Sequence, residues 1–198
     1  MHKKIKKENP MNLKELKKEK RNYYIKERSK ISSEIAKIIY KNTKDFLYKK
    51  ISNQKSAQHI GIYWPMVGEI DLRPLKVESN LKLALPACIN KQEVIYQPWR
   101  GSPLKEDYSG IPAPINEREL NHEEIEILLV PALAVDQKGF RLGYGAGYFD
   151  RLRSIASWKN IPAFIIISEI CITVDPLPKE FWDIPFNGWI SEKGPHEI

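Results

Sequence analysis

Three alternating glycines stand where a phosphate group could bind. Gly143, Gly145 and Gly147 follow a predicted strand and precede a predicted helix. Glycines at these positions let the backbone turn tightly and present its N–H groups to an anion at the helix N-terminus. Arg141 could grip phosphate oxygens through two parallel hydrogen bonds, and Asp150 could hold a hard cation such as Mg²⁺. The segment indicates a phosphate site, although its spacing matches neither the dinucleotide nor the P-loop pattern.

The same residue types also have structural interpretations. Asp150 could complement the dipole of the helix that follows, and Arg141 could pair with Asp136. Tyr144 and Tyr148 lie at a strand–helix junction, where aromatic residues are more often core than ligand platform. The pattern alone leaves both interpretations open.

Positive charge is concentrated towards the N-terminus. Residues 1–55 hold 18 of the 32 Lys and Arg and 6 of the 25 Asp and Glu, so they carry +12 and the remainder carries −5. On a helix, Lys17, Arg21 and Arg28 fall within about 40° of one another, and they could form a cationic wall opposite the glycines. Because acidic residues interleave with the lysines and no nucleic-acid motif is present, a solvated face or a small polyanion is favoured over nucleic acid.

Helices and strands must position these residues. Helices are predicted over residues 12–30, 32–50, 71–79 and 148–158, and strands over 60–64, 81–86, 94–97, 127–130 and 163–167. Asn12, and Ser32 or Ser33, are the expected N-caps of the first two helices. The runs ILLV and AFIII are continuously apolar, which is typical of strands buried on both faces.

This order predicts a single three-layer, Rossmann-like α/β domain over residues 12–198. Helices are expected on both faces of a largely parallel sheet, with ligands at the carboxyl ends of the strands. Residues 1–11 are predicted to be a flexible basic N-terminus, and residues 98–124 a long loop that is functional or mobile.

Composition excludes several classes of protein. The chain has 198 residues, of which 42% are hydrophobic and 29% charged, so it is neither disordered nor fibrous. Cys88 and Cys171 are too few for a disulfide framework, so reduced thiols are expected. No apolar stretch follows the basic start MHKKIKK. We therefore expect a cytoplasmic monomer without a membrane or nucleic-acid partner.

The order of residues around the glycines resembles a known family. DQKGFRLGYGAGYFDR is similar to the signature of 5-formyltetrahydrofolate cyclo-ligases, also called methenyltetrahydrofolate synthetases. LKKEKRNYYIKER resembles the family's N-terminal Lys/Arg helix, and IYWPMVGEID its strand followed by a folate-side Glu. YSGIPAP resembles the family's GIxEP segment and FWDIPFNGWIS its C-terminal Asp-containing stretch, so the likeness covers nearly all of residues 12–191.

The resemblance implies functions for individual residues. It implies ATP contacts from Lys17, Arg21, Arg141, Gly143, Tyr144, Gly145, Ala146 and Gly147. It implies folate contacts from Trp64, Glu69 and Tyr148, Mg²⁺ ligation by Asp150 and Asp183, and catalytic roles for Arg141 and Tyr148. The implied reaction is the ATP- and Mg²⁺-dependent closure of 5-formyltetrahydrofolate to 5,10-methenyltetrahydrofolate, with release of ADP and phosphate through a phosphorylated formyl group.

The sequence departs from the family pattern at three positions. Ala113 replaces the Glu of GIxEP, Ser109 replaces an aromatic folate contact of some members, and Asn187 replaces an Asp that often follows the metal-side residue. These departures concern folate affinity rather than the reaction class. Trp99 or Tyr108 could substitute for the missing aromatic residue.

Two other classes remain as alternatives. A nucleotide-regulated RNA-binding protein would use the same basic segment, with an affinity that falls steeply with salt. A folate- or nucleotide-binding module without turnover would tolerate loss of Asp150. His59 and His122 are expected at the surface or a strand edge, without a catalytic role.

Overall fold

The computed structural model describes residues 12–51 and 58–198. The helices are α1 Leu13–Arg28, α2 Ser33–Ile51, α3 Leu75–Glu78, α4 Tyr148–Ser154 and α5 Ala156–Lys159. The first six strands are β1 His59–Gly61, β2 Leu83–Cys88, β3 Val94–Pro98, β4 Lys105–Glu106, β5 Pro112–Ala113 and β6 Ile125–Pro131. The others are β7 Ala134–Asp136, β8 Arg141–Leu142, β9 Ala163–Ile166, β10 Ile172–Thr173, β11 Gly188–Ser191 and β12 Gly194–Glu197. The predicted flexible segment, residues 1–11, lies outside the described residues.

A seven-stranded sheet forms the centre of the fold, in the order β12-β11-β9-β6-β1-β2-β3. The strands from β11 to β2 run parallel, whereas β3 and β12 are antiparallel edge strands. This confirms the predicted α/β class with a largely parallel sheet.

Both faces of the sheet are covered. In β6, Leu128 and Val130 pack in one apolar cluster with side chains of α4 and α5. Ile127 and Leu129 point to the opposite face, where they pack with α2 and α3. Because successive residues of a strand face opposite sides, a strand covered twice has no polar positions, which explains the continuous ILLV run.

The direction of winding reverses at β1. The chain passes from β1 to β2 on one side, and later returns to place β6 on the other side of β1. The carboxyl ends of β1 and β6 therefore border a crevice of the kind that binds ligands in open α/β sheets.

The starts of α1 and α2 were predicted correctly, whereas the helix predicted over residues 71–79 is shorter and comprises only Leu75–Glu78. Asn12 caps α1: its side chain accepts the Lys14 N–H at 3.1 Å, while Glu15 accepts the Asn12 N–H at 3.3 Å. Ser32 caps α2, because its hydroxyl oxygen accepts the Ile35 N–H at 3.3 Å.

The single helix predicted over residues 148–158 is wrong, because it is two helices. Ile155 is extended, with φ −75° and ψ 124°, and separates α4 from α5. The Ser154 hydroxyl donates to the Arg151 carbonyl at 2.6 Å, a local bond that competes with continuation of a helix.

The sequence prediction also missed short strands. β7 and β8 form a hairpin that, with β10, makes a separate three-stranded sheet, so the glycines follow β8 rather than a strand of the main sheet. Residues 98–124 contain the β4–β5 ribbon. His59 is buried in the interior strand β1, which corrects its predicted edge position, and burial lowers the pKa of its imidazole.

Among the described residues, no helix has both the length and the apolar character needed to cross a bilayer.

Candidate active site

The glycine turn connects β8 to α4 through backbone conformations that favour glycine. Gly145 has φ +109° and Gly147 has φ +72°. A Cβ at Gly147 would lie 2.7 Å from Arg151 Nη1, and one at Gly145 would lie 3.3 Å from Arg21 Cζ. The missing side chains therefore allow two guanidinium groups to approach the turn closely.

A first cavity, of about 410 Å³, opens on one side of this turn. Its lining includes six of the eight residues expected to contact ATP: Lys17, Arg21, Arg141, Gly143, Gly145 and Gly147. Both carboxylates expected to hold metal, Asp150 and Asp183, also line it. The cavity thus combines cations, backbone amides and two acidic groups in one place.

Helix α1 forms one wall of the first cavity. Arg21 Nε donates to the Gly143 carbonyl at 2.9 Å, and Lys17 Nζ lies 3.2 Å from Asp183 Oδ2. Arg28 shares their helix face but lies away from this cavity, where its Nη2 donates to the Val67 carbonyl at 2.8 Å. The cationic wall facing the first cavity therefore consists of Lys17 and Arg21 without Arg28.

Arg141 is buried between the turn and the sheet, with 6% of its side chain exposed. Its Nη2 donates to Asp150 Oδ1 at 3.0 Å and its Nη1 to the Pro131 carbonyl at 3.2 Å, while Nε is buried without a hydrogen-bond partner among the described residues. The alternative pairing with Asp136 is wrong. Asp136 instead accepts backbone N–H groups, among them that of Leu177.

A second cavity, of about 330 Å³, opens on the other side of the turn. Residues at or beyond the carboxyl ends of β1, β2 and β6 line it: Tyr63, Trp64, Pro86, Cys88 and Pro131. Tyr144 and Ala146, which were expected to contact ATP, line this cavity and not the first. Its aromatic and aliphatic walls suit a flat, apolar ligand.

Glu69 provides a buried carboxylate in this apolar cavity, since only 3% of its side chain is exposed. Its Oε2 accepts the Met66 N–H at 2.8 Å, and its Oε1 has no hydrogen-bond partner among the described residues. Burial raises the pKa of this carboxyl, while the Met66 N–H and the Arg28 guanidinium oppose that rise. An acceptor of this kind is available to N–H donors of a ligand.

Tyr148 also lines the second cavity. Its hydroxyl donates to the Asn90 carbonyl at 3.0 Å and lies 3.1 Å from Ser109 Oγ. Ser109 and Ile111 bring the predicted loop 98–124 to the cavity wall. The segment 98–124 therefore contributes to the lining of the second cavity.

The other two residues that differ from the family pattern, Ala113 and Asn187, lie outside both cavities. Ala113 is fully buried in β5, and Asn187 accepts a backbone N–H from β9 at 2.9 Å. Trp99 packs edge-on against Trp64, with ring centroids 6.2 Å apart, while Tyr108 is exposed and does not line the cavity. Neither Trp99 nor Tyr108 therefore lines the second cavity.

Sequence reasoning missed several lining residues. Arg151 and Trp182 line the first cavity, while Tyr63 and Asp107 line the second. Arg151 follows Asp150 directly in the sequence, and this proximity to a candidate site residue could have indicated that it lines the first cavity. Tyr63 and Trp182 are hard to distinguish from core or surface aromatic residues without the fold.

The two cavities adjoin across the turn. Arg141, Gly143, Gly145, Gly147 and Asp150 line both. A polar cavity with cations and an apolar cavity with one carboxylate thus meet at a shared backbone segment. The fold and site define an α/β enzyme with two adjacent small-molecule cavities.

Comparison with known proteins identifies the class of enzyme. The model of the 5-formyltetrahydrofolate cyclo-ligase family matches residues 6–191, and the chain belongs to this family. A 5-formyltetrahydrofolate cyclo-ligase of Haemophilus influenzae is 33% identical over 144 residues, covering 67% of this chain and 74% of the relative.

Solved structures are similar as well. The 5,10-methenyltetrahydrofolate synthetase of Aquifex aeolicus superposes with a TM-score of 0.75 at 27% identity, covering 92% of both chains. The synthetase of Mycoplasma pneumoniae superposes with a TM-score of 0.65 at 17% identity, covering 92% of this chain and 99% of that one, and supports the fold alone.

The donor set of the first cavity is compatible with Mg²⁺ held largely by a ligand's phosphates. Asp150 and Asp183 both line this cavity, and their side chains are partly exposed. No three His, Cys, Asp or Glu side chains gather as a metal cluster within residues 12–51 and 58–198. One or two carboxylates together with phosphates and water, rather than an all-protein cage, are the usual surroundings of Mg²⁺.

Proposed function

We propose that this enzyme converts 5-formyltetrahydrofolate and ATP to 5,10-methenyltetrahydrofolate, ADP and phosphate, with Mg²⁺ bound beside the nucleotide. The observation that carries the proposal is the shared turn: a cation-lined cavity and an apolar cavity adjoin at Arg141 and the three glycines. Such an arrangement brings a terminal phosphate next to a heterocycle, as phosphoryl transfer between them requires.

The chemical difficulty is that a formamide oxygen is a poor leaving group. The formyl oxygen attacks the γ-phosphorus of ATP, and the bond to ADP breaks, which gives an imidate phosphate. The anilinic nitrogen of the folate then attacks the formyl carbon and loses its proton. Inorganic phosphate leaves with the formyl oxygen and takes up that proton as the ring closes. In-line positioning and charge neutralisation are the main contributions that phosphoryl transfer needs from a protein.

The first cavity binds the triphosphate. Lys17 and Arg21 approach the turn from α1, and Arg141 reaches it from β8. Their charges and the glycine amides neutralise phosphate oxygens, and Arg141, which lines both cavities, contacts the group in transfer. Asp150 and Asp183 would hold Mg²⁺, which would supply further neutralisation of the phosphates.

The second cavity binds the folate. Trp64 offers an apolar surface to the pterin, and the Glu69 oxygen accepts hydrogen bonds from pterin N–H groups. The Tyr148 hydroxyl lies in the wall shared with the turn and orients the reacting formyl group. Within the turn, Tyr144 and Ala146 line the second cavity, where the folate binds.

An absorbance assay tests the proposal. Protein, Mg²⁺-ATP and 5-formyltetrahydrofolate are mixed, and the near-ultraviolet absorbance of the methenyl product is recorded. Arg141→Ala is expected to reduce turnover at least about tenfold, since a charge-assisted hydrogen bond contributes about 1.5–3 kcal/mol. Absence of product with folded wild-type protein would refute the proposed reaction.

Controls separate the catalytic effect from unfolding. Arg118→Ala removes an exposed arginine that lines neither cavity, and its turnover is expected to equal wild type. Asp150→Asn is expected to abolish turnover while folate binding persists; turnover equal to wild type would show that Asp150 does not hold an essential Mg²⁺. Circular dichroism checks that each variant is folded.

The remaining expectations follow from this proposal. Residues 12–198 act as one domain, and the enzyme is a cytoplasmic monomer whose ligands are small molecules. Sedimentation with and without RNA tests the monomeric state and the RNA-binding alternative together.

A further inference from the structure

Arg28 is a buried cation beneath the loop that carries Glu69. Its Nη2 donates to the Val67 carbonyl at 2.8 Å, and its guanidinium lies 5.1 Å from the Tyr144 ring centroid. A Cβ at Gly68, which has φ +80°, would lie only 3.1 Å from Arg28 Nε. The glycine therefore lets the loop rest directly on the guanidinium.

Glu69 lies between Arg28 and the second cavity. Arg28 Nη1 is 3.7 Å from Glu69 Oε1, and 9% of the Arg28 side chain and 3% of the Glu69 side chain are exposed. Neither of these two atoms has a hydrogen-bond partner among the described residues. Glu69 lines the cavity, whereas Arg28 is absent from its lining, so Arg28 would act on a ligand through Glu69.

We propose that Arg28 is a positioning residue for the folate: it fixes the loop of Glu69 and supplies the counter-charge that keeps this carboxylate ionised and able to accept two N–H donors of the pterin. The proposal rests on the proposed function of the second cavity. An ionised carboxylate is an acceptor only, whereas a protonated one gives up part of that capacity.

The charges around Glu69 determine how binding depends on pH. Arg28 faces it from α1, Arg141 from β8 and Tyr144 from the turn, and Tyr63 follows β1. Burial raises the pKa of Glu69, and Arg28 lowers it. Removal of the Arg28 charge therefore raises the pKa of Glu69 further, so that a larger fraction of Glu69 is protonated near neutral pH.

Calorimetric titration of full-length protein with 5-formyltetrahydrofolate tests this role. Arg28→Gln loses the charge but keeps an amide donor for Val67. Its Kd is expected to be at least about tenfold above wild type near neutral pH, because a buried carboxylate has lost its counter-charge. The difference in Kd between Arg28→Gln and wild type should become smaller as the pH rises through the pKa of Glu69. Arg28→Lys, which keeps the charge, should bind within a few-fold of wild type.

Three controls define the alternatives. Lys26→Gln removes an exposed charge from the same helix and should leave Kd unchanged. Tripolyphosphate, which probes the first cavity alone, should bind Arg28→Gln as it binds wild type. In a Glu69→Gln background, Arg28→Gln should cause little further increase in the Kd of 5-formyltetrahydrofolate, because the carboxylate that interacts with Arg28 is absent. If Arg28→Gln does not fold, the same titrations are carried out with Arg28→Met.

The outcomes are distinct. A deficit that is equal at every pH and additive with Glu69→Gln would show that Arg28 is only structural and would overturn the inference. Unchanged folate binding in Arg28→Gln would overturn it while leaving the proposed function intact. Failure of wild type to bind 5-formyltetrahydrofolate would overturn both.

Discussion

Several charged side chains of the fold are buried. Arg153 is 3% exposed, and burial together with neighbouring Arg141 lowers the pKa of its guanidinium to about 10. It donates to the carbonyls of Ile161 and Pro185, at 3.2 Å and 3.3 Å. The side chains of Arg141 and Glu69 are similarly enclosed. Arg141 Nε, Arg153 Nε and Glu69 Oε1 have no hydrogen-bond partner among the described residues, and such incompletely paired buried charges are costly to the fold.

Glu69→Gln is expected to stabilise the protein although it weakens folate binding. Since burial raises the pKa of Glu69, the folded state favours the protonated carboxyl, and ionisation weakens folding once the pH exceeds the pKa of the unfolded chain. The melting temperature of Glu69→Gln should therefore be higher by a few degrees near pH 7.5, and this gain should disappear as the pH falls to about 4.

Differential scanning calorimetry at both pH values measures this difference. Glu19→Gln, at an exposed position on α1, is the matched control and should show no comparable gain. A lower melting temperature for Glu69→Gln near neutral pH would mean that its pairing with Arg28 outweighs the effect of burial.

Residue chemistry was predictable where local sequence determines it. The alternating glycines and Arg141 indicated the turn, and the helical spacing placed Lys17 and Arg21 on one face. The same spacing could not show that Arg28 lies under the loop of Val67 and Glu69 instead of at the first cavity, because that depends on where this loop packs. Asp150 was correctly considered near Arg141, whereas the proposed Asp136 pairing was wrong because backbone amides occupy that carboxylate.

At the scale of elements, α1 contacts both sites. Lys17 and Arg21 lie at the first cavity, and Arg28 lies under the loop of Glu69, so the helix spans the distance between them. Its position therefore affects two ligands together. Its first turn depends on the Asn12 and Glu15 cap.

Asn12→Ala is expected to lower the free energy of unfolding by about 1 kcal/mol, because the amides of the first turn lose their acceptor. Denaturant titration measures the change, and hydrogen exchange should locate it in the first turn of α1. Asn22→Ala, in the exposed middle of the helix, should instead be neutral or slightly stabilising, since alanine has the higher helix propensity. Equal effects at the two positions would contradict a capping role.

The elements that sequence analysis missed share a physical reason. β7, β8 and β10 have two or three residues each, too few to establish an alternating pattern. β11 begins at Gly188 and becomes a strand by pairing with β9 and β12. Long periodic helices and continuous apolar strands carry their signal locally, whereas these strands depend on tertiary pairing.

At the scale of the whole molecule, the shared turn is expected to couple binding of the two proposed ligands. Arg141, Gly143 and Asp150 line both cavities, so a ligand that orders the turn from one side prepares it for the other. A non-hydrolysable ATP analogue with Mg²⁺ is expected to lower the Kd of 5-formyltetrahydrofolate about fivefold or more.

Calorimetry in both orders of addition measures this coupling. The folate should strengthen binding of the analogue by the same factor, because binding linkage is reciprocal. Identical Kd values with and without the analogue would show that the cavities bind independently.

The contact between Lys17 and Asp183 joins residues 166 positions apart. A ribosome adds about 5–20 residues per second, so roughly ten to thirty seconds separate the synthesis of these two partners. During that interval α1 exists without the carboxylate that will neutralise Lys17. The first cavity, which we propose binds the nucleotide, is therefore complete only after residue 183 has been added, and catalytic competence is expected late in biosynthesis.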